Sequence, residues 1–126
     1  MAITQVVVAS PSAETIFTDT AIGATVDAVK GSSAKVYWII VDNSQNVAAS
    51  YVKLYNVASG SVTVGTTAPD EVILVPASVV ITQVYSTGAG PGKTFGTALS
   101  AACVTTGGTA GTTAPSSSVV VTIAYV

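Results

Sequence analysis

The chain has 126 residues, of which 49% are hydrophobic and only 8% are charged, with four basic residues, all Lys, and no His. This length suits one domain with a sizeable core, and the composition excludes a disordered chain. The net charge of −2 argues against a nucleic-acid groove, because phosphate binding needs clustered Lys and Arg side chains.

Cysteine content and hydrophobic run length bear on the compartment. The single Cys103 cannot form an internal disulfide, so no oxidising compartment is implied, and we expect a small buried residue. The N-terminus lacks the regions of a signal peptide, and no apolar run approaches the roughly 18 residues of a membrane helix. We therefore expect a soluble protein made in the cytoplasm, without membrane contact.

The first thirty residues are predicted to form an N-terminal arm, ahead of a β-sandwich domain at residues 31–126. Residues 3–9 are apolar and β-prone, and Ser10-Pro11-Ser12 separates them from the next segment. Their backbone is expected to add to a sheet edge of an adjacent subunit, or alternatively to pair with an edge strand of their own domain. Residues 21–30 form a second strand candidate.

The central strand is predicted at residues 34–43, which hold the only Trp and six consecutive apolar residues. Alternation along a strand places Val36, Trp38 and Ile40 on one face and the three residues between and after them on the other. We expect Val36, Trp38 and Ile40 to share one core with Val52, Leu54 and Phe95. Since the second face is apolar too, it must be covered by the fold or by another subunit.

Further strands are predicted along the rest of the chain. Residues 50–56 alternate cleanly, and Lys53 is expected to mark a wet or shared face of that strand. No segment shows a sustained helical period, and turn signals separate the remaining strand candidates, at residues 61–64, 71–75, 79–85, 94–105 and 119–126. The fold class predicted is all-β, an antiparallel, jelly-roll-like β-sandwich of about eight strands.

The pentapeptide GTTAP occurs twice, at residues 65–69 and at residues 111–115, each time ahead of a β-branched strand. Proline fixes its own φ and favours extended geometry in the residue before it, so both copies are expected to enter their strands alike. Two similar loops at one end of a sandwich explain the repeat, because a duplicated binding site would need polar side chains that both copies lack.

Two segments imitate ligand-binding motifs. Residues 87–94 resemble a phosphate-binding loop, but Thr87 occupies the first Gly position and Pro91 removes a backbone donor, so a hairpin turn is predicted. Residues 42–46 place oxygens at alternate positions, but Val47 and Lys53 stand where a calcium-binding EF-hand has Gly and Glu. Asp and Asn there are expected to close a turn through their own backbone.

No catalytic or cofactor pattern is found in the sequence. Without His, a Ser or Cys nucleophile lacks its commonest base, and one Cys cannot make a zinc site. The adjacent Asp70 and Glu71 point to opposite sides of an extended backbone, so they cannot share a substrate bond. We therefore predict neither an enzyme nor a metal or cofactor site.

Several segments in a fixed order resemble a small β-sandwich module of tailed-bacteriophage virions. In that module a strand ending in an Asp-Asn turn precedes a Tyr-x-Lys-Leu-Tyr strand and a Val-Gly-Thr-x-x-Pro loop. The segments that carry the resemblance are residues 34–44, 49–56, 63–69, 94–100 and 114–121. Together they span about residues 30–123 of the chain. The order Phe95-Gly96-Thr97 departs from the usual pattern of the group.

The resemblance implies a virion structural protein without catalytic residues. The expected function is that of a capsid decoration or cement protein, which binds between major capsid subunits on the capsid surface and stabilises the shell. A minor tail or fibre component, or a module that binds host-surface glycans, is the alternative. That alternative would need an exposed aromatic platform, for which Tyr37, Tyr51, Tyr55 and Tyr85 are the candidates.

Self-association is expected as well, because the chain has few charges and many apolar positions outside a single core. A homo-oligomer is predicted, with a trimer favoured because decoration proteins often occupy threefold positions of a shell. Large apolar and aromatic residues on strand candidates are the predicted inter-subunit contacts: Ile3, Val6, Val8, Tyr37, Ile39, Tyr51, Tyr55, Tyr85 and Tyr125.

Overall fold

A computed structural model describes residues 14–87 and 90–126, and their regular structure is β-strand apart from one 3-10 turn at Ser59–Ser61. The predicted strand at residues 3–9 lies outside these ranges. The strands, in chain order, are β1 Thr15–Asp19, β2 Asp27–Lys30, β3 Ala34–Asp42, β4 Ser50–Tyr55, β5 Glu71–Val75, β6 Val80–Val84, β7 Ser86–Thr87, β8 Gly90–Pro91, β9 Lys93–Phe95, β10 Leu99–Val104 and β11 Val120–Tyr125.

Two antiparallel sheets make up the domain, which confirms the predicted all-β sandwich. The first sheet has the order β1-β11-β3-β6, and β9 pairs with the other end of β3 on the same side as β6. The second sheet has the order β2-β10-β4-β5, and β7 with β8 forms a separate hairpin. The jelly-roll connectivity remains a prediction.

The strand predictions hold best where β-branched runs end at turn residues. Strands β3, β4, β5, β6 and β11 lie where they were expected, whereas residues 94–105 divide into β9 and β10. Residues 61–64 form no strand. Strands β1 and β2, from the segment assigned to the arm, supply one strand to each sheet, so the sandwich extends ahead of residue 31.

The central strand β3 contains a bulge that reverses part of its predicted orientation. Trp38 pairs with Ala124 and Val36 pairs with Tyr125, so Tyr37 is an extra residue on β3. A bulge inserts one residue and shifts the alternation beyond it by one position. The expected core placement of Trp38 and Ile40 is therefore wrong: both lie on the outer face, and Ile39 and Val41 point into the core.

The core between the sheets is formed by aliphatic side chains from both. Val36, Val52, Leu54 and Phe95, all predicted core residues, belong to it and are at most 1% exposed. Cys103 is also fully buried there, and burial raises the pKa of its thiol to about 12. At neutral pH this thiol is protonated and behaves as the small apolar residue that was expected.

Around Lys53, the outer face of the second sheet is covered by the chain itself. Lys53 is 0% exposed, and its Nζ donates to the carbonyl oxygens of Ala110 at 2.8 Å and Thr109 at 3.3 Å. The prediction that Lys53 marks a wet or shared face is thus wrong, because the loop between β10 and β11 closes over it. Burial lowers the pKa of Lys53, and the two carbonyls partly replace its hydration.

The two GTTAP copies meet in this cover. Gly65 and Gly111 both have positive φ, 91° and 101°, which glycine adopts without strain. A Cβ on Gly65 would come within 2.7 Å of Thr112 Cγ2, so the first copy packs directly against the second. The repeat therefore serves the packing of two loops that close the outer side of the second sheet.

Candidate interaction surface

The outer face of the first sheet carries apolar side chains on all four of its main strands, and those on β1 and β6 are exposed. Ile16, Val80 and Val84 are 48%, 55% and 58% exposed, and the others are partly buried. We call this set the outer patch, and its members are Ile16, Trp38, Ile40, Val80, Val84 and Val120. On the described strands of the second sheet, Leu74 is the one large apolar residue with comparable exposure, at 53%.

Strand register places these residues in rows across the sheet. One row runs Ile16, Ala124, Trp38, Val84, with each residue paired to the next. Directly paired residues lie on the same face and contact each other, so Trp38 joins the side chains of the two halves of the patch. Ala124 is buried although it faces outward, because it is small and lies between Ile16 and Trp38.

Of the two neighbouring rows, one is neutral and the other contains a single charged residue. One runs Thr18, Thr122, Ile40, Thr82, and the last runs Val120, Asp42, Val80. Asp42 is the only charged residue in the three rows, and its Oδ1 accepts a hydrogen bond from the Ser44 backbone N–H at 2.9 Å. The face therefore offers apolar and hydroxyl groups, with no charge across its centre.

Beside Asp42, a buried polar network fixes the end of the central strand. Asn43 is 0% exposed, and its Nδ2 donates to the carbonyl oxygens of Ala48, Val75 and Pro76 at 3.0 to 3.2 Å. Its Oδ1 accepts from Asn46 Nδ2 and Ser50 Oγ. The turn predicted at residues 42–46 is confirmed, and its amide side chains also tie β3 to β4 and to the end of β5.

The predicted contact residues occupy several different environments. Ile3, Val6 and Val8 lie outside the described residues. Ile39 and Tyr55 are 0% exposed, so the prediction that they contact a neighbouring subunit is wrong. A side chain enclosed by its own domain offers no surface area to a neighbour. The remaining four are partly buried, namely Tyr37, Tyr51, Tyr85 and Tyr125.

Three of the five tyrosine hydroxyls are engaged in or enclosed by the domain. Tyr125 donates from its hydroxyl to the Val29 carbonyl at 3.2 Å, across the sandwich. The Tyr85 and Tyr55 hydroxyls are buried without a partner among the described residues, and burial raises the pKa of each. The nearby carboxylate of Glu71 adds to the increase for Tyr85. The tyrosines thus do not form one exposed platform.

The outer patch was missed by the sequence because two of its members were assigned to the core. Trp38 and Ile40 reach the outer face only through the bulge at Tyr37, and neither Gly nor Pro marks that bulge. Val80 and Val84 belonged to a predicted strand, but a sequence does not show which strand lies at an edge. A run of β-branched residues without charge at residues 79–84 was the available signal.

Two carboxyl groups approach each other where β1 ends and β2 begins. The pKa of Asp27 is raised to about 6, first by burial and then by the hydrogen bond and the charge of Asp19. One oxygen of Asp27, Oδ2, is buried without a partner. Asp19 lies on β1, at the edge of the first sheet, and Asp27 lies on β2, at the edge of the second. At neutral pH the pair places two negative charges close together.

We expect this pair to make the domain more stable at pH 4.5 than at pH 7. Because the folded-state pKa of Asp27 exceeds its usual value, its contribution is fully present below about pH 3.8 and is lost as the pH rises through about 6. Replacing Asp27 by Asn should raise the melting temperature at pH 7 and flatten the profile between pH 4 and 6. Thermal unfolding followed by circular dichroism at several pH values measures both effects.

Asp42→Asn is the control for that profile. Hydrogen bonds from Ser44 lower the pKa of Asp42, so its contribution is present above about pH 3.8 and is lost only as the pH falls below that value. This variant should leave the profile between pH 4 and 6 unchanged. A profile that Asp27→Asn does not alter would show that the carboxyl pair does not control stability.

The motif-like segments have structural roles. Strand β7 pairs with β8 in this segment and strand β9 begins at Lys93, so the predicted hairpin is confirmed and the segment leads into a strand rather than a helix. Lys93, at the position of a phosphate-binding Lys, instead forms an ion pair with Glu71 and so links β9 to β5. This ion pair joins the two sheets on one side of the sandwich.

Within the described ranges there is no group of three or more acidic or Cys side chains that could hold a metal ion, and no pocket was found. The same residues include no helix that could span a membrane. Comparison with models of protein families, with curated proteins and with solved structures gives no match for this chain.

Proposed function

We propose that the chain is a non-enzymatic structural protein of a bacteriophage virion, in which it decorates the capsid and binds between major capsid subunits. The observation that carries the proposal is the outer patch, whose three rows contain one charged residue, Asp42, and whose members Ile16, Val80 and Val84 are about half exposed. Exposed contiguous apolar surface of this kind favours a protein partner. The order of motifs that resembles phage virion modules supports the choice of a capsid partner.

The composition fits a protein that is permanently attached to a larger assembly better than a free protein in solution. With 8% charged residues the surface carries little charge to keep copies apart. Attachment to a shell would cover the outer patch and prevent non-specific association through it. The proposal includes self-association, as a trimer at threefold positions of the shell, and a location on the virion surface after synthesis in the host cytoplasm.

The alternative of a glycan-binding tail or fibre module has less support. Sugar platforms combine an exposed aromatic ring with polar groups that bind the hydroxyls of the ligand. Trp38, an aromatic ring on the outer face, has the paired neighbours Ala124 and Val84 rather than polar residues. Tyr55, a candidate for such a platform, is buried.

The proposal predicts that purified virions contain the protein in a fixed ratio to the major capsid protein. Quantitative mass spectrometry of particles measures that ratio. A copy number comparable to that of the capsid protein supports decoration, and a few copies per particle support a tail location instead. Absence from purified particles would overturn the virion assignment.

Variants test whether the outer patch makes the contact. Ile16→Asp should abolish rebinding to particles that lack the protein, because the carboxylate would lose its hydration in an apolar interface. Leu74→Asp is the matched control, since Leu74 is 53% exposed and Ile16 is 48% exposed, but Leu74 lies on the second sheet. Equal binding of both variants would show that the patch is not the capsid-binding surface.

A further inference from the structure

Strand β6 differs from every other edge strand of the two sheets. The edge strands are β1, β2, β5, β6 and β9, and four of them contain a charged residue, namely Asp19, Asp27 with Lys30, Glu71 and Lys93. The β6 sequence, Val-Ile-Thr-Gln-Val, contains neither charge nor proline. Natural edges usually carry such residues to prevent pairing with another strand, so β6 is the unprotected edge.

On the side turned away from β3, β6 presents a regular set of backbone groups, and the described residues add no further strand there. Asn43 donates to the Val79 carbonyl and Tyr85 donates to the Tyr37 carbonyl, each at 2.9 Å, so the odd-numbered residues bond to β3. In an antiparallel ladder the alternate residues point the other way, which directs the N–H and C=O groups of Val80, Thr82 and Val84 outward. Among the described residues the one side-chain contact to these groups is long, from Gln83 Nε2 to the Val84 carbonyl at 3.4 Å.

We propose that β6 pairs with β6 of a second copy, antiparallel and about a twofold axis at Thr82. In this register Thr82 faces Thr82 of the second copy, and Val80 faces Val84. All three positions have outward backbone groups, so three donors from each copy meet three acceptors of the other. The side chains match as well, with valine beside valine and threonine beside threonine and no like charges in contact.

Two features restrict the contact to this register. Ser78, just before the strand, has φ of 62°, so the chain turns away from the edge there. At the other end the β7–β8 hairpin begins at Ser86. A partner strand therefore has five residues to pair with, and a shift by one would set inward-pointing backbone groups against outward ones.

The pairing also extends the outer patch. Val80 and Val84 lie in the outer rows of the first sheet, so the second copy continues those rows without a step. Five residues form a small interface compared with stable dimers, so we expect a weak, concentration-dependent association. Many copies held close together on a surface would strengthen it through a high effective concentration.

Charged substitutions at the twofold axis test the proposal. Sedimentation velocity over a range of protein concentrations should show a dimer, and Thr82→Lys should weaken it about tenfold or more because two ammonium groups face each other. Mixing Thr82→Lys with Thr82→Glu should restore dimers containing one of each chain, seen by native mass spectrometry. Thr18→Lys should have no effect, since Thr18 lies in the same row and is exposed, but at the opposite edge.

A disulfide cross-link detects the pairing even where the non-covalent dimer is weak. Thr82→Cys should form a disulfide-linked dimer under mild oxidation, because Cα atoms of a hydrogen-bonded pair are about 5.5 Å apart, within disulfide range. Thr18→Cys should not, and the native Cys103 is buried. Absence of both the Lys–Glu rescue and this cross-link would overturn the twofold pairing. The same result is expected if a different strand of a second chain pairs with β6, so that outcome also counts against the proposal.

The inference goes beyond the proposed function, because a twofold pairing of β6 joins two copies and does not itself build the proposed trimer. Capsid binding depends on Ile16, at the β1 side of the sheet, whereas the twofold contact depends on Thr82, at the β6 side. Particles that bind Thr82→Lys normally, combined with loss of the dimer, would support both proposals. A dimer that Thr82→Lys leaves intact would overturn the β6 contact and leave the decoration function standing.

Discussion

Replacing Asn43 by Asp is expected to destabilise the domain by about 3–5 kcal/mol, although the two side chains have nearly the same shape. The Nδ2 group donates to three carbonyl oxygens, and a carboxylate would set an acceptor against all of them. The site is 0% exposed, so water cannot replace the lost donors. Protonation would relieve part of the conflict, so the loss should increase with pH.

Urea denaturation at constant m value measures this loss. Asp42→Asn is the control next to it in sequence, because its side-chain oxygen can still accept from the Ser44 N–H, and we expect a change within about 0.5 kcal/mol. If the free energy of unfolding of Asn43→Asp lies within about 1 kcal/mol of that of the natural chain, the buried network contributes little to stability.

The role of Asn43 illustrates how far the sequence determines the structure. The turn after β3 was predictable because Asp and Asn bond to nearby backbone, as Ser44 to Asp42 does. The partners that make Asn43 a buried centre are Val75 and Pro76, more than thirty residues away. Asn46 likewise binds the backbone of Ser117. Such long-range contacts have no local signature.

Orientation was less predictable than the existence of strands. β-branched and aromatic runs predicted β3 to β6 and β11, but alternation beyond Tyr37 was reversed by a bulge that follows from pairing with β11. For Lys53 the sequence indicated an outward face correctly, since it lies on the outer side of the second sheet. It could not show that a loop from residues 105–119 returns to cover that side.

These two errors together concealed the candidate surface. Ile39 and Val41 face the core in place of Trp38 and Ile40. The face that the sequence assigned to the core is therefore part of the outer patch. Lys53 lies under a loop of its own chain, whereas Ile16, Val80 and Val84 on the outer face of the first sheet remain about half exposed. Strand order, which depends on contacts across the whole chain, decides which faces and edges remain available for partners.

Truncation of Phe95 is expected to destabilise the domain far more than truncation of the larger Trp38. Phe95 is 1% exposed and pairs with Ala34, which is too small to fill the space that the ring would leave. We expect Phe95→Ala to cost about 3–5 kcal/mol through lost burial and an unfilled cavity. The loss of the Lys93 ammonium contact with the ring, 5.8 Å from its centroid, adds a smaller amount.

Trp38 lies on the outer patch and keeps part of its surface in water, so Trp38→Ala should cost about 1–2 kcal/mol, corresponding to partial burial. Urea unfolding of both variants measures the difference, and Phe95→Leu provides a milder change if Phe95→Ala does not fold. The comparison tests the bulge directly, because regular alternation on β3 would bury Trp38 with Val36. Equal losses for the two Ala variants would place Trp38 in the core and remove it from the outer patch.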